Sequence, residues 1–209
     1  MLNGIFDTSK SCFEDRFITD MVQLKALIDT FRSLHPKAKV GFVGGVWDLI
    51  HLGHMAYIEK AKEDMDLLIV GADTDEFTRS RKSRDGVERP IVPFEERVMI
   101  LSYLRSVDII IPVDENFIAP LEAIRPDKLV FSRSTNDMKE ENLKKYEAYA
   151  GEMVFLEPQA PPEKTSTTAR VRHLMMSGVK VSRGKVIKRV NATVDKILNE
   201  VFDEIEAQI

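Results

Sequence analysis

Two histidines three residues apart, His51 and His54, follow an apolar run that ends in the paired glycines Gly44 and Gly45. The stretch reads Gly44-Gly45-Val46-Trp47-Asp48-Leu49-Ile50-His51-Leu52-Gly53-His54. On a helix, that spacing brings both imidazoles to one face, about a turn apart. Glycines where the backbone turns let N–H groups face a phosphate, and a helix starting just beyond adds a dipole that favours anions. Two imidazoles over such a helix start can donate hydrogen bonds to a polyphosphate. They can also stabilise charge that builds on a phosphoryl group during displacement. Gly53 between them leaves room for a ligand against the backbone. Two plainer readings stand beside this one. A carboxylate such as Asp48 could join the pair as metal ligands, although no cysteine or further histidine nearby completes a zinc set. The two could also be unrelated surface histidines.

Three further groups carry residues suited to anions. Arg97 falls on a predicted helix whose apolar face is Phe94, Val98 and Leu101, so its side chain is expected to point towards the site rather than into the core. Its alternative is a surface ion pair with Glu95 or Glu96. Thr165, Ser166, Thr167 and Thr168 stand in a row at a predicted helix start. One hydroxyl would cap the helix; four can also donate to phosphate oxygens. Arg79, Arg81, Lys82 and Arg84 form a basic run, either a solvated loop or a mobile cationic lid over phosphates.

The elements that must position these residues alternate along the chain. Apolar runs at 39–44, 66–71, 107–111, 128–132 and 152–156 read as strands. Residues 51–64, 93–105, 116–124 and 138–150 read as helices, the first with Met55, Ile58, Ala61 and Met65 on one face. Residues 73–92 are polar, with Gly86 and Pro90, and read as a loop. Continuous rather than alternating strands, each followed by a helix, imply an α/β fold: a Rossmann-like, doubly wound, five-stranded parallel sheet. An amphipathic helix over 13–35 and another over 185–209 flank it. The latter carries Ile187, Val190, Val194, Ile197 and Val201 at spacings of three and four. It could pack back on the domain or form a contact in a homodimer. The expected division is an N-terminal helical extension at 1–38, a core domain at 39–178 and a C-terminal helix at 179–209.

Composition narrows the partners. The 209 residues carry 30 Lys plus Arg against 34 Asp plus Glu, a net charge of −4, which is not the basic surface that nucleic acid requires. No apolar run approaches the length needed to cross a membrane. The first twelve residues lack a cationic segment followed by an apolar run, so no signal peptide is read there. One cysteine, Cys12, permits no intrachain disulfide and suits a reducing cytoplasm.

With its strand, its aromatic–Asp step and its two histidines in order, the segment GGVWDLIHLGH resembles the signature of the HxGH nucleotidyltransferase superfamily, the cytidylyltransferase-like proteins. Trp47 stands where that family usually has Phe. Thr74-Asp75-Glu76 is similar to its (S/T)-D-E step. Arg89-Pro90-Ile91-Val92-Pro93-Phe94-Glu95-Glu96-Arg97 resembles the R-P-x-x-P-x-x-x-R segment of heptose-phosphate adenylyltransferases. The glycerol-phosphate cytidylyltransferases have an E-x-R helix here whose arginine aligns with Arg97. Residues 165–168 resemble the family's I-S-T-T motif, with Thr165 in the apolar position. The resemblance covers 39 to about 176. It implies transfer of a nucleotidyl group from ATP or CTP to a phosphorylated small molecule, a sugar or polyol phosphate, with release of pyrophosphate. His51, His54, Lys82 and Arg97 would then be catalytic. Gly45, Val46, Trp47, Asp48, Gly53, Ser132, Thr165, Ser166, Thr167 and Thr168 would bind the nucleotide, and Mg²⁺ would arrive with the NTP. Residues 131–137 (FSRSTND) depart from the family's G-G-D or G-D-D segment, which leaves both base and acceptor open. Two alternatives are a nucleotidyltransferase for an alcohol, flavin or pantetheine phosphate, and a non-catalytic nucleotide-binding or regulatory domain. A class I tRNA-synthetase fragment would share the H-x-G-H logic, but the chain is too short and no K-M-S-K-S-like loop follows.

Overall fold

A computed structural model describes residues 12–82, 88–133, 140–161 and 167–206, without the side chains of Lys82, Thr168 and residues 201–206. Five strands, β1 (Val40–Gly45), β2 (Leu67–Asp73), β3 (Ile109–Val113), β4 (Lys128–Ser132) and β5 (Glu152–Leu156), form one sheet in the order β3-β2-β1-β4-β5. Every neighbouring pair is parallel, with Val40 beside Leu67 and Gly41 beside Lys128. β2 is buried from end to end, as expected of a strand covered on both faces. Among the described residues, the helices are α1 (Phe13–Arg16), α2 (Met21–Leu34), α3 (Leu52–Lys62), α4 (Asp75–Lys82), α5 (Phe94–Ser102), α6 (Ile118–Ile124), α7 (Glu140–Tyr146) and α8 (Thr167–Glu206).

Helices α3 and α5 cover one face, with Ile58, Ala61, Val98 and Leu101 packed in a cluster with Val43, Leu68 and Val70. Helices α2, α6 and α7 cover the other, with Leu24, Ile28, Leu121, Ile124 and Tyr146 in a cluster with Phe42, Ile69 and Leu129. The chain winds outwards from β1 in both directions. A sheet of this kind opens a crevice at the carboxyl ends of the strands where the order reverses, here between β1 and β4.

Several expectations are revised. Residues 13–35 are not one helix: Phe17 leaves it to bridge Ile110, and Asp20 starts α2 by accepting from the Val22 and Gln23 N–H groups at 2.7 and 3.3 Å. Nor is this segment an extension beyond the core. Ile18, Leu24, Ile28 and Phe31 are core residues, and Arg32 donates to the Ile124 and Arg125 carbonyls at 2.8 and 2.6 Å. The polar stretch at 73–92 holds α4, which escaped the apolar pattern because Phe77 is its one large apolar residue. Thr74 starts it by accepting from the Phe77 N–H at 3.3 Å. Met55, expected on the buried face of α3, is exposed, and Tyr57 takes a core place instead. At the far end, α8 runs continuously through the division expected at 178. The chain forms two compact units, 1–167 and 168–209. Among the described residues, no helix is long and apolar enough to cross a membrane.

Two tyrosines give the fold an alkaline limit. Burial raises the Tyr57 phenol far above its ordinary value of 10.0, and its hydroxyl donates to the Val130 carbonyl at 3.1 Å. Burial also raises Tyr146, partly offset by the positive charge of Arg81. A raised folded-state pKa contributes stability that is complete below pH 10 and is lost as pH climbs towards that raised value. Circular dichroism melts between pH 9 and 11.5 are expected to show the melting temperature falling above pH 10, with Tyr57→Phe flattening the fall.

Candidate functional site

The turn after β1 puts the histidines where the strands end. Trp47 and Leu49 hold left-handed backbone at φ 58° and 46°, a costly conformation for side chains of this size. The surroundings enforce it. Trp47 is 3% exposed, and its indole Nε1 donates to the Gly71 carbonyl at 2.8 Å. The paired glycines serve this packing. A Cβ on Gly45 would lie 3.0 Å from Trp47 Cε2, and one on Gly44 would lie 3.2 Å from Phe117 Cε2. Aromatic rings thus press on the end of β1 from Trp47 and from Phe117.

His51 is not inside the helix, as the spacing alone suggests, but caps it. Its Nδ1 accepts from the Gly53 N–H at 3.1 Å. A neutral ring used that way carries its proton on Nε2. The His51 and His54 rings still meet, stacked with centroids 3.9 Å apart. The Trp47 ring stands edge-on to His54 at 5.6 Å and stacks over Tyr57 at 6.1 Å. The pair therefore sits at the amino end of α3, with a core tryptophan behind it.

Asp48 is 3% exposed. Its carboxylate accepts from Arg89 Nη1 at 2.8 Å, from the Ile91 N–H at 3.1 Å and from the Val92 N–H at 3.0 Å. It clasps the R-P-x-x-P segment to the histidine turn. Among the described residues, no three His, Cys, Asp or Glu side chains group as possible metal ligands. Asp48→Ala would leave three donors without their acceptor, at a cost of about 3 kcal/mol. A urea midpoint shifted accordingly is the expected result.

Arg97 corrects a second expectation. It is fully buried rather than turned outwards to phosphates. Its guanidinium donates to the carbonyls of Val46, of Val92 at 3.0 Å and of Asp73 at 2.8 Å, and pairs with Asp75 Oδ1 at 2.6 Å. One side chain thus ties together the ends of β1 and β2 and the start of α4. It is a positioning residue. Thr167 is similar in kind: its hydroxyl donates to the Asp48 carbonyl at 2.7 Å, so that proton is committed to the loop and not to a phosphate.

His51, His54, Gly45, Val46, Trp47, Asp48, Gly53, Arg97 and Thr167 are thus gathered around one turn, and Ser132 closes the neighbouring strand β4. Thr165, Ser166 and Arg84 lie outside the described residues, as do the side chains of Lys82 and Thr168. Within the basic run, Arg79 and Arg81 are on α4. Arg81 pairs with Asp73 at 3.6 Å and lies over the Phe77 ring at 4.5 Å. Arg89, Asp73 and Asp75 were not among the expected site residues. Arg89 and Asp75 lie in segments that carry the family resemblance, but only the folded turn shows what they hold.

Comparisons with known proteins bear on the family and the fold. A family model described as cytidylyltransferase-like matches residues 42–173. The chain is similar to the bifunctional protein HldE of Acidiphilium cryptum, 32% identical over 137 residues, which cover 64% of this chain and 27% of that protein. HldE of Caulobacter vibrioides is 38% identical over 116 residues, covering 54% of this chain and 23% of its own. The match therefore spans about a quarter of the length of these relatives. Among solved structures, a lipopolysaccharide core biosynthesis protein from Thermoplasma volcanium shares the fold at a TM-score of 0.52 and 23% identity, covering 58% of this chain and 98% of that one. A pantoate-beta-alanine ligase from Francisella tularensis shares it at 0.50 and 18% identity, covering 71% of this chain and 69% of that one. With most of its length inside the family match, the chain belongs to the cytidylyltransferase-like family of nucleotidyltransferases.

Proposed function

We propose that this protein transfers a nucleotidyl group from ATP or CTP to the phosphate of a small sugar or polyol phosphate. An acceptor phosphate oxygen attacks the α-phosphorus in line, a new P–O–P bond forms, and the bond to the β-phosphate breaks to release pyrophosphate. No covalent enzyme intermediate is required, so the protein contributes positioning and charge stabilisation. The observation that carries this reading is the stacked His51–His54 pair at the amino end of α3, beyond the carboxyl end of β1. His51, with its proton on Nε2, and His54 donate to the triphosphate as charge moves onto the leaving oxygen. Asp48, Arg97 and Trp47 hold the turn that aims them. Lys82 and the hydroxyls of Ser166 and Thr168 complete the phosphate contacts, and the metal ion comes bound to the nucleotide. The likeness of residues 89–97 to heptose-phosphate adenylyltransferases favours a sugar phosphate acceptor. The single cysteine suits a cytoplasmic enzyme.

The test is pyrophosphate release with four NTPs crossed against sugar, polyol and alcohol phosphates. Turnover is expected with ATP or CTP and one acceptor class. Nucleotide binding with no pyrophosphate from any combination would replace this reading with that of a binding domain.

A further inference from the structure

Residues 13–18 precede the family match at 42–173, yet they grip the helix that carries Arg97. Helix α5 has nine residues, and the segment reaches both of its ends. At the carboxyl end, Arg16 is 5% exposed and donates to three carbonyls: Ser102 through Nη1, Leu104 through Nη2 at 3.5 Å, and Asp108 through Nε at 3.3 Å. The last carbonyls of a helix have no partner within it and carry its negative pole, so a guanidinium there satisfies them and opposes that pole. Asp108 is fixed in turn: its carboxylate accepts from Lys62 and from the Leu68 N–H, each at 2.6 Å. The Ile18 N–H donates to the Ile110 carbonyl at 2.9 Å and pins the segment along β3.

At the amino end the contact runs through aromatic rings. Phe13 stacks on Phe17 with centroids 5.2 Å apart, and Phe17 meets Phe94 at 6.1 Å. Arg97 Cζ lies 5.5 Å from the centre of the Phe94 ring. Ring–ring and cation–ring contacts prefer particular geometries, so they fix pose as well as cover surface. A single ring thus separates this segment from the guanidinium that bonds the Val46 carbonyl in the histidine turn. The Phe94 N–H donates to Asp75 Oδ2 at 3.3 Å, on the carboxylate that also pairs with Arg97. Held at both ends, α5 has little freedom to slide or tilt. We infer that Arg16 and Phe17 are positioning residues: they set α5, α5 sets Arg97, and Arg97 sets the turn that aims His51 and His54. This builds on the proposed function, in which those histidines act on the nucleotide.

Trp47, the one tryptophan of the chain, lies in that turn at 3% exposure and reports on it without any substrate. Arg16→Met and Phe17→Leu are expected to red-shift its emission and to ease its quenching by acrylamide, at temperatures well below each variant's melting point. Pyrophosphate release should fall about 10-fold in kcat with KM for the nucleotide little changed, because aim rather than binding is lost. Ile28→Val is the control: it thins the core on the opposite face of the sheet and should lower stability without moving either readout. Phe17→Leu exchanges one apolar side chain for another and keeps the test open should Arg16→Met not fold. Unchanged Trp47 emission in the folded variants would overturn the inference. So would an equal shift in Ile28→Val, since loss of stability alone would then account for it. A shifted emission with full kcat would overturn it too, because the turn would have moved without losing its aim. If the unaltered protein released no pyrophosphate with any substrate pair, the proposed reaction would fall, and the emission comparison would still decide whether Arg16 and Phe17 set the turn.

Discussion

His54→Ala is expected to lower the rate of pyrophosphate release by about 10²–10³-fold with the fold intact, the usual effect of removing one donor aimed at developing charge. The imidazole stacks on His51 at 3.9 Å and against the edge of Trp47 at 5.6 Å, so its position is set by neighbours that the substitution leaves in place. His54 is not a member of the buried core, and its loss should cost little stability. The loss should fall on kcat, because a donor that acts most strongly as charge reaches the leaving oxygen contributes more to the transition state than to the bound nucleotide. Full turnover by a folded His54→Ala protein would end the proposed mechanism. A rise in KM alone would reduce the histidine to a binding role.

The largest effect on stability is expected at Arg97. Arg97→Met fills similar space but withdraws donors from the Val46, Val92 and Asp73 carbonyls and from the Asp75 carboxylate. Breaking a buried charge pair by removing one partner costs about 3–5 kcal/mol. For a chain of this length that is a fall in melting temperature of roughly 10 °C. Arg97→Lys should restore little, because one ammonium cannot span acceptors that a planar fork reaches from β1, β2 and α4. Calorimetry and urea titration measure both variants. A midpoint unchanged in Arg97→Met would mean that the buried guanidinium is replaceable by packing alone. If stability fell but turnover per folded molecule did not, Arg97 would hold the fold without tuning the site.

The contrast between His54 and Arg97 shows how far residue type and spacing reach. The alternation of apolar runs with helices made the parallel sheet legible, because strands covered on both faces must be apolar without interruption. β4 and β5 fall where their apolar runs predict, at 128–132 and 152–156. The histidine motif was legible too, because an H-x-x-H spacing beyond a strand and a pair of glycines is a local pattern. Helix α4 was not. Its start rests on one side-chain cap at Thr74, and its residues are mostly polar, so periodicity carried no signal. The N-terminal helix was legible as amphipathic, but its membership of the core was not, since that depends on α6 and the far end of the sheet.

By itself, then, the order of residues determined the fold class and marked the turn to which the proposed chemistry is assigned. Each of these follows from neighbours close along the chain. Only the tertiary structure decided which polar groups hold the frame of that turn. Arg97 and Thr167 have the types expected of phosphate contacts, yet Arg97 bonds to the Val46, Val92 and Asp73 carbonyls and the Asp75 carboxylate, and Thr167 to the Asp48 carbonyl, groups brought together from parts of the chain remote in sequence. A guanidinium or carboxylate bonds to whatever acceptors or donors the fold places around it, and burial makes those bonds obligatory.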